Sequence, residues 1–400
     1  MPVAHDSVAA PAHDTRPATV DRLVVHQLDV GHPVPGGVDG VVRGILRFAP
    51  AQDVVAVVGV LAREAPGRAV GRWERHDVAG RTIWFLPVAR LDSSDQRRSV
   101  PHSVRLVLGA LRHRHRLPRA RTVHAHRVDT AWAARRLFPR TPLVHFVHNQ
   151  ENGLTSGATD SFWARAPRVH AALERSVVRG ARATVVFNED YARTLGERSP
   201  RVAFSPNWYE PDVVRYRPEA AEPYRVVWLG RLEPMKDPLL ALEAFAALVA
   251  LDPAHPWSLL VIGSGTLAAD LAERRAALDP AVADRVRLAG AVPPDEVGEL
   301  LGSSGVFVMT SVAGYEGHPR VLVEALAAGL PAVVTDGSDT GRLVTGGANG
   351  FVTGRDPDEI AAALRAAVDL SRAGARASVD GLAAEQVVSR ILELEQVPRG

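Results

Sequence analysis

The chain has 400 residues, 46% hydrophobic and 23% charged, enough for two or three soluble globular domains that each bury a core. It contains no cysteine, which excludes disulfides, a thiol nucleophile and a cysteine-ligated zinc site. The formal net charge of +2 conceals a division. Residues 1–205 hold 30 basic against 18 acidic residues, while residues 206–400 hold 17 against 27, so the halves face different partners or each other.

Residues 1–20 are polar and rich in Ala, Pro and His, without the apolar segment of a signal peptide, and no apolar run reaches transmembrane length. A flexible tail over 1–20 and a cytoplasmic protein, at most peripheral on the inner face of a membrane, are expected. Leu23–Leu28 reads as a buried strand, Gly31 to Gly37 as a glycine turn and Val38–Phe48 as an amphipathic helix, the opening of a βαβ unit. Short apolar runs follow at Val54–Val60, Thr82–Leu86, Thr122–His126, Leu143–His148, Thr184–Phe187 and Val202–Phe204, with helical patterns at Ser103–Leu111 and Val169–Arg179. Only the stretch around 60–100 is weakly patterned. Asn207–Pro223, polar and with three prolines, reads as a linker.

The pattern then restarts. Strands are predicted at Tyr224–Leu229, Ser258–Ile262, Val286–Leu288, Gly305–Met309 and Ala332–Thr335, and helices at Pro238–Ala250, Leu267–Ala277, Pro357–Leu370 and Ala383–Leu394. Alternation of this kind implies parallel sheets covered on both faces. The expected organisation is α/β, with two Rossmann-like domains facing a central cleft: 21–206, the 207–223 linker, 224–382, and a helix and tail over 383–400 able to pack back on the first domain.

Two motifs in the second half carry chemistry. Gly230-Arg231-Leu-Glu-Pro-Met-Lys236 follows its first strand, at the edge where open parallel sheets bind ligands. Of the 47 basic residues 46 are arginine, and the one lysine is Lys236, which suggests a place that needs a compact ammonium. A fork of donors at Arg231 and a point charge at Lys236 suit the oxygens of a diphosphate; a surface pair at a strand-to-helix turn is the plain alternative. In Tyr315-Glu-Gly-His-Pro-Arg-Val-Leu-Val-Glu324, two carboxylates flank a predicted helix start, with Pro319 as first helical residue and Gly329 and Pro331 as the stop. Glu316 and Glu324 are expected to face one pocket at the positive end of the helix dipole, where a phosphate is well received.

With these residues in place, the chain resembles a retaining glycosyltransferase of the GT-B fold, in glycosyltransferase family four, over nearly all of 22–395. The anchors are Gly36-Gly37, His148, Gly230-Arg231 with Lys236, and Glu316 with Glu324; weaker ones are Gly263-Ser-Gly265, the strand end at Val286–Gly290 and Asn349–Val352. The resemblance implies that Glu324 accepts from the donor ribose and that Glu316 binds the transferred sugar, helped by Gly317, His318, Pro319 and Arg320 of the turn and Val321 beyond it. Arg231 and Lys236 would neutralise the departing diphosphate, with Gly36, Gly37, Gly230 and Gly263 letting backbone approach the donor. The segment from Leu288 would hold the base, and His148 would line the sugar side. No cofactor and no metal are implied, since Arg231, Lys236 and the helix end supply the positive charge that a leaving diphosphate needs. Retention by front-face attack follows from the resemblance, because no carboxylate pair can be placed as nucleophile and acid.

Plain alternatives stand beside these roles. Gly36-Gly37 fits an ordinary turn before a helix, and His148 a histidine satisfied at a strand end. His124 and His126 share a strand face without a third zinc ligand in view. Asp356-Pro-Asp358 mimics a metal-binding pair but precedes a helix, where Asp is the ordinary cap. Two departures from the family pattern, Arg320 in place of a small amide and Asp336–Arg342 in place of a glycine pair and glutamate, leave the sugar donor open, UDP- or GDP-linked.

On the acceptor side, nine arginines and no acid lie between Asp95 and Asp129. On a 97–121 basic helix, Arg98, Arg105 and Arg112 align, opposite an apolar face of Val100, Val104, Val107, Leu108 and Leu111. That pattern suits an anionic membrane surface as well as a solvated helix packed by its apolar side. Nucleic acid finds no recognition motif. The acceptor is left as a saccharide, a lipid-linked saccharide or a small molecule, in cell-envelope or polysaccharide synthesis. A GT-B epimerase or phosphorylase, and a catalytically idle sugar-nucleotide-binding scaffold, are the alternatives.

Overall fold

The computed structural model describes residues 16–32, 37–63, 65–91, 102–148, 166–339 and 342–396. These form two units: 16–148, 166–205 and 388–396 in the first, and 206–339 and 342–387 in the second. Gly36, Arg97 and Arg98 lie outside the described residues.

The first unit is an eight-stranded sheet of β1 (Thr19–Val25), β2 (Val55–Leu61), β3 (Glu74–Val78), β4 (Arg81–Arg90), β5 (Arg119–Ala125), β6 (Leu143–Val147), β7 (Ala183–Val186) and β8 (Val202–Phe204), in the order β3-β4-β2-β1-β5-β6-β7-β8. All pairs are parallel except β3 with β4. The strands read as apolar runs because both faces are covered; Val55-Ala-Val-Val-Gly-Val-Leu61 is buried throughout. The covering helices are α1 (Gly37–Phe48), α2 (His102–Arg112), α3 (Val128–Leu137), α4 (Pro167–Gly180) and α5 (Glu189–Gly196). The weakly patterned stretch holds the β3–β4 hairpin. Its turn puts Ala79 at φ 52° and Gly80 at φ 81°, with the Gly80 N–H donating to Asp77. Ala-Gly in place of the usual Asn-Gly or Asp-Gly kept that hairpin out of the sequence reading. The first strand begins at Thr19, inside the stretch read as a tail, because Thr19 and Val20 pair with Arg119 and Ala120 of β5.

The second unit carries β9 (Arg225–Leu229), β10 (Ser258–Ile262), β11 (Val286–Gly290), β12 (Val306–Met309), β13 (Ala332–Thr335) and β14 (Gly350–Thr353), in the order β11-β10-β9-β12-β13-β14, all parallel. Its helices are α6 (Pro238–Leu251), α7 (Ala268–Ala276), α8 (Pro280–Ala283), α9 (Pro294–Gly302), α10 (Arg320–Ala327), α11 (Pro357–Ala367), α12 (Arg372–Ala377) and α13 (Ala384–Glu393), the last passing from the second unit to the first at Val388. Helix α6 is apolar almost all round, and its Phe245 and Leu248 join Trp228, Trp257 and Leu364 in one core. Asp356 caps α11 by accepting from the Asp358 and Glu359 N–H groups, so Asp356-Pro-Asp358 is a cap.

Asn207–Pro223, expected as a linker, belongs with the second unit: Trp208 and Tyr209 are buried, and Tyr209 bridges Ala383. Its aromatic and apolar anchors outweigh its prolines. Helix α2 corrects the basic-helix expectation. It ends at Arg112, and Arg119 and Arg121 sit on β5. The face against the sheet is Ser103, Leu106, Gly109 and Ala110, whereas Val104, Leu108 and Leu111 are exposed. Gly109 decides this, since a Cβ there would lie 2.2 Å from the Val88 carbonyl oxygen and only glycine lets the helix approach so closely.

Candidate functional site

In the second sheet β9 has β10 on one side and β12 on the other, so the chain reverses its winding direction at β9. Ligands of open parallel sheets bind at the strand ends beside such a point. The residues singled out after β9 and β12 converge there. Lys236 Nζ donates to Glu316 Oε1, and Ser311 Oγ donates to the same oxygen at 3.0 Å. Lys236 also lies 5.7 Å from the Tyr315 ring centre, and the exposed Arg231 donates to the Tyr315 hydroxyl at 2.7 Å.

The backbone is built to hold Lys236. Asp237 sits at φ 46°, a left-handed conformation unusual for a residue with a side chain, and caps α6 by accepting from Leu240 N–H. Arg355, arriving after β14, pairs with Asp237 and donates to the carbonyls of Thr310 and Ser311 at 2.9 and 3.2 Å. Thr310 Oγ1 accepts from the Trp228 indole and donates to the Asp237 carbonyl. Ser311, Tyr315, Asp237 and Arg355 were not singled out in the sequence. Tyr315 and Ser311 adjoin Glu316, so proximity to that motif was the available signal, whereas nothing local marks Arg355.

Gly230 and Gly263 end β9 and β10 in contact. Gly263 has φ +143°, and a Cβ on it would lie 1.8 Å from the Gly230 carbonyl oxygen, so bare backbone is obligatory there. Leu288 stands inside β11, paired with Val261, and its side chain packs on the core; the strand ends at Gly290. Because β11 is an edge strand, its outer backbone groups are the part that can meet a ligand.

The second carboxylate has a separate environment. Pro319 is the extended residue before the helix, and α10 starts at Arg320, one residue later than the sequence suggested. Helix α10 ends as expected. Gly329 at φ 81° donates to Leu326 and Leu330 to Ala325, the paired bonds of a Schellman motif. Glu324 accepts from Arg320 Nε at 2.8 Å, and Arg320 also donates to Glu210 at 3.2 Å. Glu316 and Glu324 thus engage different cations. Burial pushes the Glu324 carboxyl above its usual range against the pull of Arg320. His318 is buried and its pKa is lowered to about 4 by burial, so it is neutral at pH 7; its Nδ1 accepts from Asn207 N–H at 3.1 Å, committing that side of the ring to a structural bond. Val321 is partly buried against the core, and Gly317 is partly exposed in the turn.

In the first unit the strand ends carry histidines. His126 Nδ1 and His148 Nε2 are 2.9 Å apart, so one ring donates to the other. His126 stacks on Phe146 and His148 on Phe187, with ring centres 4.4 and 5.0 Å apart. His26 adds a tilted contact to His126 and lies 3.5 Å from Asp39. Burial, then repulsion from His26 and His145, lowers the His148 pKa to about 3, and burial lowers that of His145 to about 4 and that of His126 well below the ordinary range. His124 turns elsewhere, to Glu395 at 2.7 Å, so the two histidines of His124-x-His126 share a face without sharing a ligand set. Among the described residues no group of three or more His, Asp or Glu is arranged to hold a metal ion. Gly37 opens α1 with open space where its side chain would be.

Residues 223–369 match the family model described as glycosyl transferases group 1. A D-inositol 3-phosphate glycosyltransferase of Rhodococcus opacus (strain B4) is 28% identical over 399 residues, covering 90% of this chain and 85% of that protein. A glycogen synthase of Mycobacterium tuberculosis is 30% identical over 266 residues, covering 62% and 60%. Among solved structures, a sucrose-phosphate synthase from Thermosynechococcus elongatus aligns with a TM-score of 0.70 at 18% identity, covering 94% of this chain and 98% of that one. Anabaena HepE in complex with UDP aligns with a TM-score of 0.65 at 17% identity, covering 94% and 100%. Both are GT-B glycosyltransferases, and the two parallel-sheet, Rossmann-like domains described above are that architecture. The family model thus covers most of the second unit, and the fold is the two-domain α/β architecture of the GT-B neighbours.

Proposed function

We propose that the protein transfers a glycosyl group from a nucleotide-diphosphate sugar, with retention at the anomeric carbon and without a metal ion. The observation that carries this reading is the meeting of Lys236, Glu316 and Ser311 at the switch point of the second sheet, with Arg231 alongside. An ammonium has three N–H donors, so its pairing with Glu316 leaves capacity for phosphate oxygens. Helix α10 begins at Arg320 without a side-chain cap, and its N-terminus carries the positive end of the helix dipole, which suits an anionic group. Held by Lys236 and Ser311, Glu316 is a fixed acceptor for hydroxyls of the sugar, while Glu324 serves the ribose and His148 the sugar side. In front-face transfer the C1–O bond to the diphosphate breaks, the acceptor oxygen bonds to C1, and the acceptor proton passes to the leaving phosphate. Arg231 and Lys236 stabilise the charge that develops there.

The donor nucleotide is uridine or guanosine diphosphate; the solved neighbours bound to UDP favour uridine. The name of the aligned Rhodococcus relatives favours a phosphorylated small-molecule acceptor. A thermal-shift panel of nucleoside diphosphates and their sugars, followed by donor turnover with wild type and Lys236→Ala and with added EDTA, tests the reading. Stabilisation by one diphosphate, turnover lost in the variant and indifference to EDTA are expected; a panel without any stabilising ligand would sink it.

One observation favours an anionic membrane surface as the working location. On α2, Val104, Leu108 and Leu111 are exposed beside Arg105 and Arg112, and the neighbouring α3 and α4 add a depression of about 460 Å³ lined by Arg135, Arg175 and Arg179. Among the described residues no helix is long and apolar enough to cross a membrane. An Arg105/Arg112/Arg116 triple glutamate variant is expected to stop sedimenting with anionic liposomes; unchanged sedimentation removes the idea.

A further inference from the structure

We infer that Arg320 is a positioning residue of the donor site that sets its discrimination for the ribose hydroxyls, an inference that rests on the nucleotide-sugar reading above. Arg320 is a bridge: its Nε donates to Glu324 Oε1 at 2.8 Å and its other arm reaches Glu210 at 3.2 Å, with the three side chains only 20%, 14% and 14% exposed. A guanidinium presents a rigid planar fork and keeps its charge, so it fixes the direction of a carboxylate as well as compensating it.

The far arm is itself anchored. Asn207 binds His318 through both its backbone N–H and its side-chain amide, and the intervening Trp208 and Tyr209 are buried, so Glu210 is delivered to Arg320 by a packed segment. Glu324 is thereby held by one oxygen, and the second oxygen is aimed in one direction. A ribose hydroxyl arriving there donates to a carboxylate that needs no reorganisation. Without Arg320, two partly buried carboxylates would face each other with no cation between them, and Glu324 would rotate or take up a proton.

The test compares a nucleoside diphosphate with its 2′-deoxy and 3′-deoxy forms by calorimetry, in wild type, Arg320→Gln, Arg320→Lys and Glu210→Gln. A charge-assisted hydrogen bond to a hydroxyl corresponds to a preference of about 10- to 100-fold for the ribose form in wild type. Arg320→Gln is expected to reduce that ratio to about threefold, Arg320→Lys to keep a fraction of it because an ammonium lacks the fork, and Glu210→Gln to lie between. If all variants weaken ribose and deoxyribose forms equally, or only lower the melting temperature, Arg320 is a structural bridge and the inference falls. Arg320→Lys, which keeps the charge, serves as the folded comparator should Arg320→Gln not fold. Failure of wild type to bind any nucleoside diphosphate would refute the donor reading instead.

Discussion

The two domains finish their parallel sheets differently. At the strand ends of the second, charge is permanent and paired: Lys236 with Glu316, Arg320 with Glu324 and Glu210, and Arg355 with Asp237. In the first, paired charge is present beyond β1 and β2, where Asp29 meets Arg68, but the ends of β5, β6 and β7 carry neutral imidazoles stacked on phenylalanines, His126 against Phe146 and His148 against Phe187. A charged layer stabilises a developing diphosphate without rearranging, whereas a layer of neutral rings offers shape and single hydrogen bonds. The division of the sequence into a basic and an acidic half does not predict this. The arginines of the first half are spread over helices, strands and loops, and among the described residues none of them pairs with His126 or His148 at the ends of β5 and β6.

The sharpest way to break this contrast is to change one group in each layer. Lys236→Ala is expected to lower kcat by about 10²- to 10³-fold because positive charge at the developing oxyanion is removed, and Glu316→Gln by a similar factor because the charged acceptor that holds Lys236 is lost, each with melting temperature little changed. Lys236→Arg is not expected to rescue, because Lys236 fits beneath Tyr315 beside Ser311 as a compact ammonium. His148→Gln should cost far less, about tenfold. Equal losses from the two layers, read by steady-state kinetics at saturating donor, would show that the first layer carries charge after all.

Acid should separate the domains next. His145 and His318 have folded pKa values near 4 against an ordinary 6.5. The stability of their neutral form is fully present above pH 6.5, declines by about 1.4 kcal/mol per pH unit for each group as pH falls, and is exhausted near pH 4. His126 and His148 add to this only in the first domain. Hydrogen exchange at pH 5 should therefore accelerate in β5 and β6 before β9 and β12; simultaneous acceleration would contradict the difference.

Much of this arrangement was legible in the chain. Parallel strands announce themselves as continuous apolar runs, and the ends of β8, β10 and β13 were read to the residue. The lone lysine and the two glutamates were found because their spacing is local. What escaped was decided at a distance or by backbone. Arg355 reaches Asp237 across 118 residues, and Glu210 reaches Arg320 across 110 from a stretch that prolines disguised as a linker. Whether the apolar face of α2 packs on the sheet was left open by the sequence; the structure exposes Val104, Leu108 and Leu111, because Gly109, whose missing side chain lets the helix lie close, faces the sheet instead. His148 was read as an isolated residue, although its partner His126 was itself noted 22 residues earlier as half of a different motif.

That pairing gives the finest test of the contrast. His126→Phe keeps a flat ring to stack on Phe146 and on His148, and removes the hydrogen bond to His148 Nε2. A net hydrogen bond contributes about 0.5–1.5 kcal/mol, and here its loss is offset because the buried Nε2 of His126, which has no hydrogen-bond partner, disappears with it. Urea unfolding at pH 7.5 should therefore place the variant within about 1 kcal/mol of wild type, and the difference should turn in its favour at pH 5, where His126 no longer resists protonation. Turnover should fall only a few-fold, through looser placement of His148. A loss of stability well beyond this, unchanged by pH, would mean that the imidazole pair, and not the stacking, holds the strand ends of the first domain together.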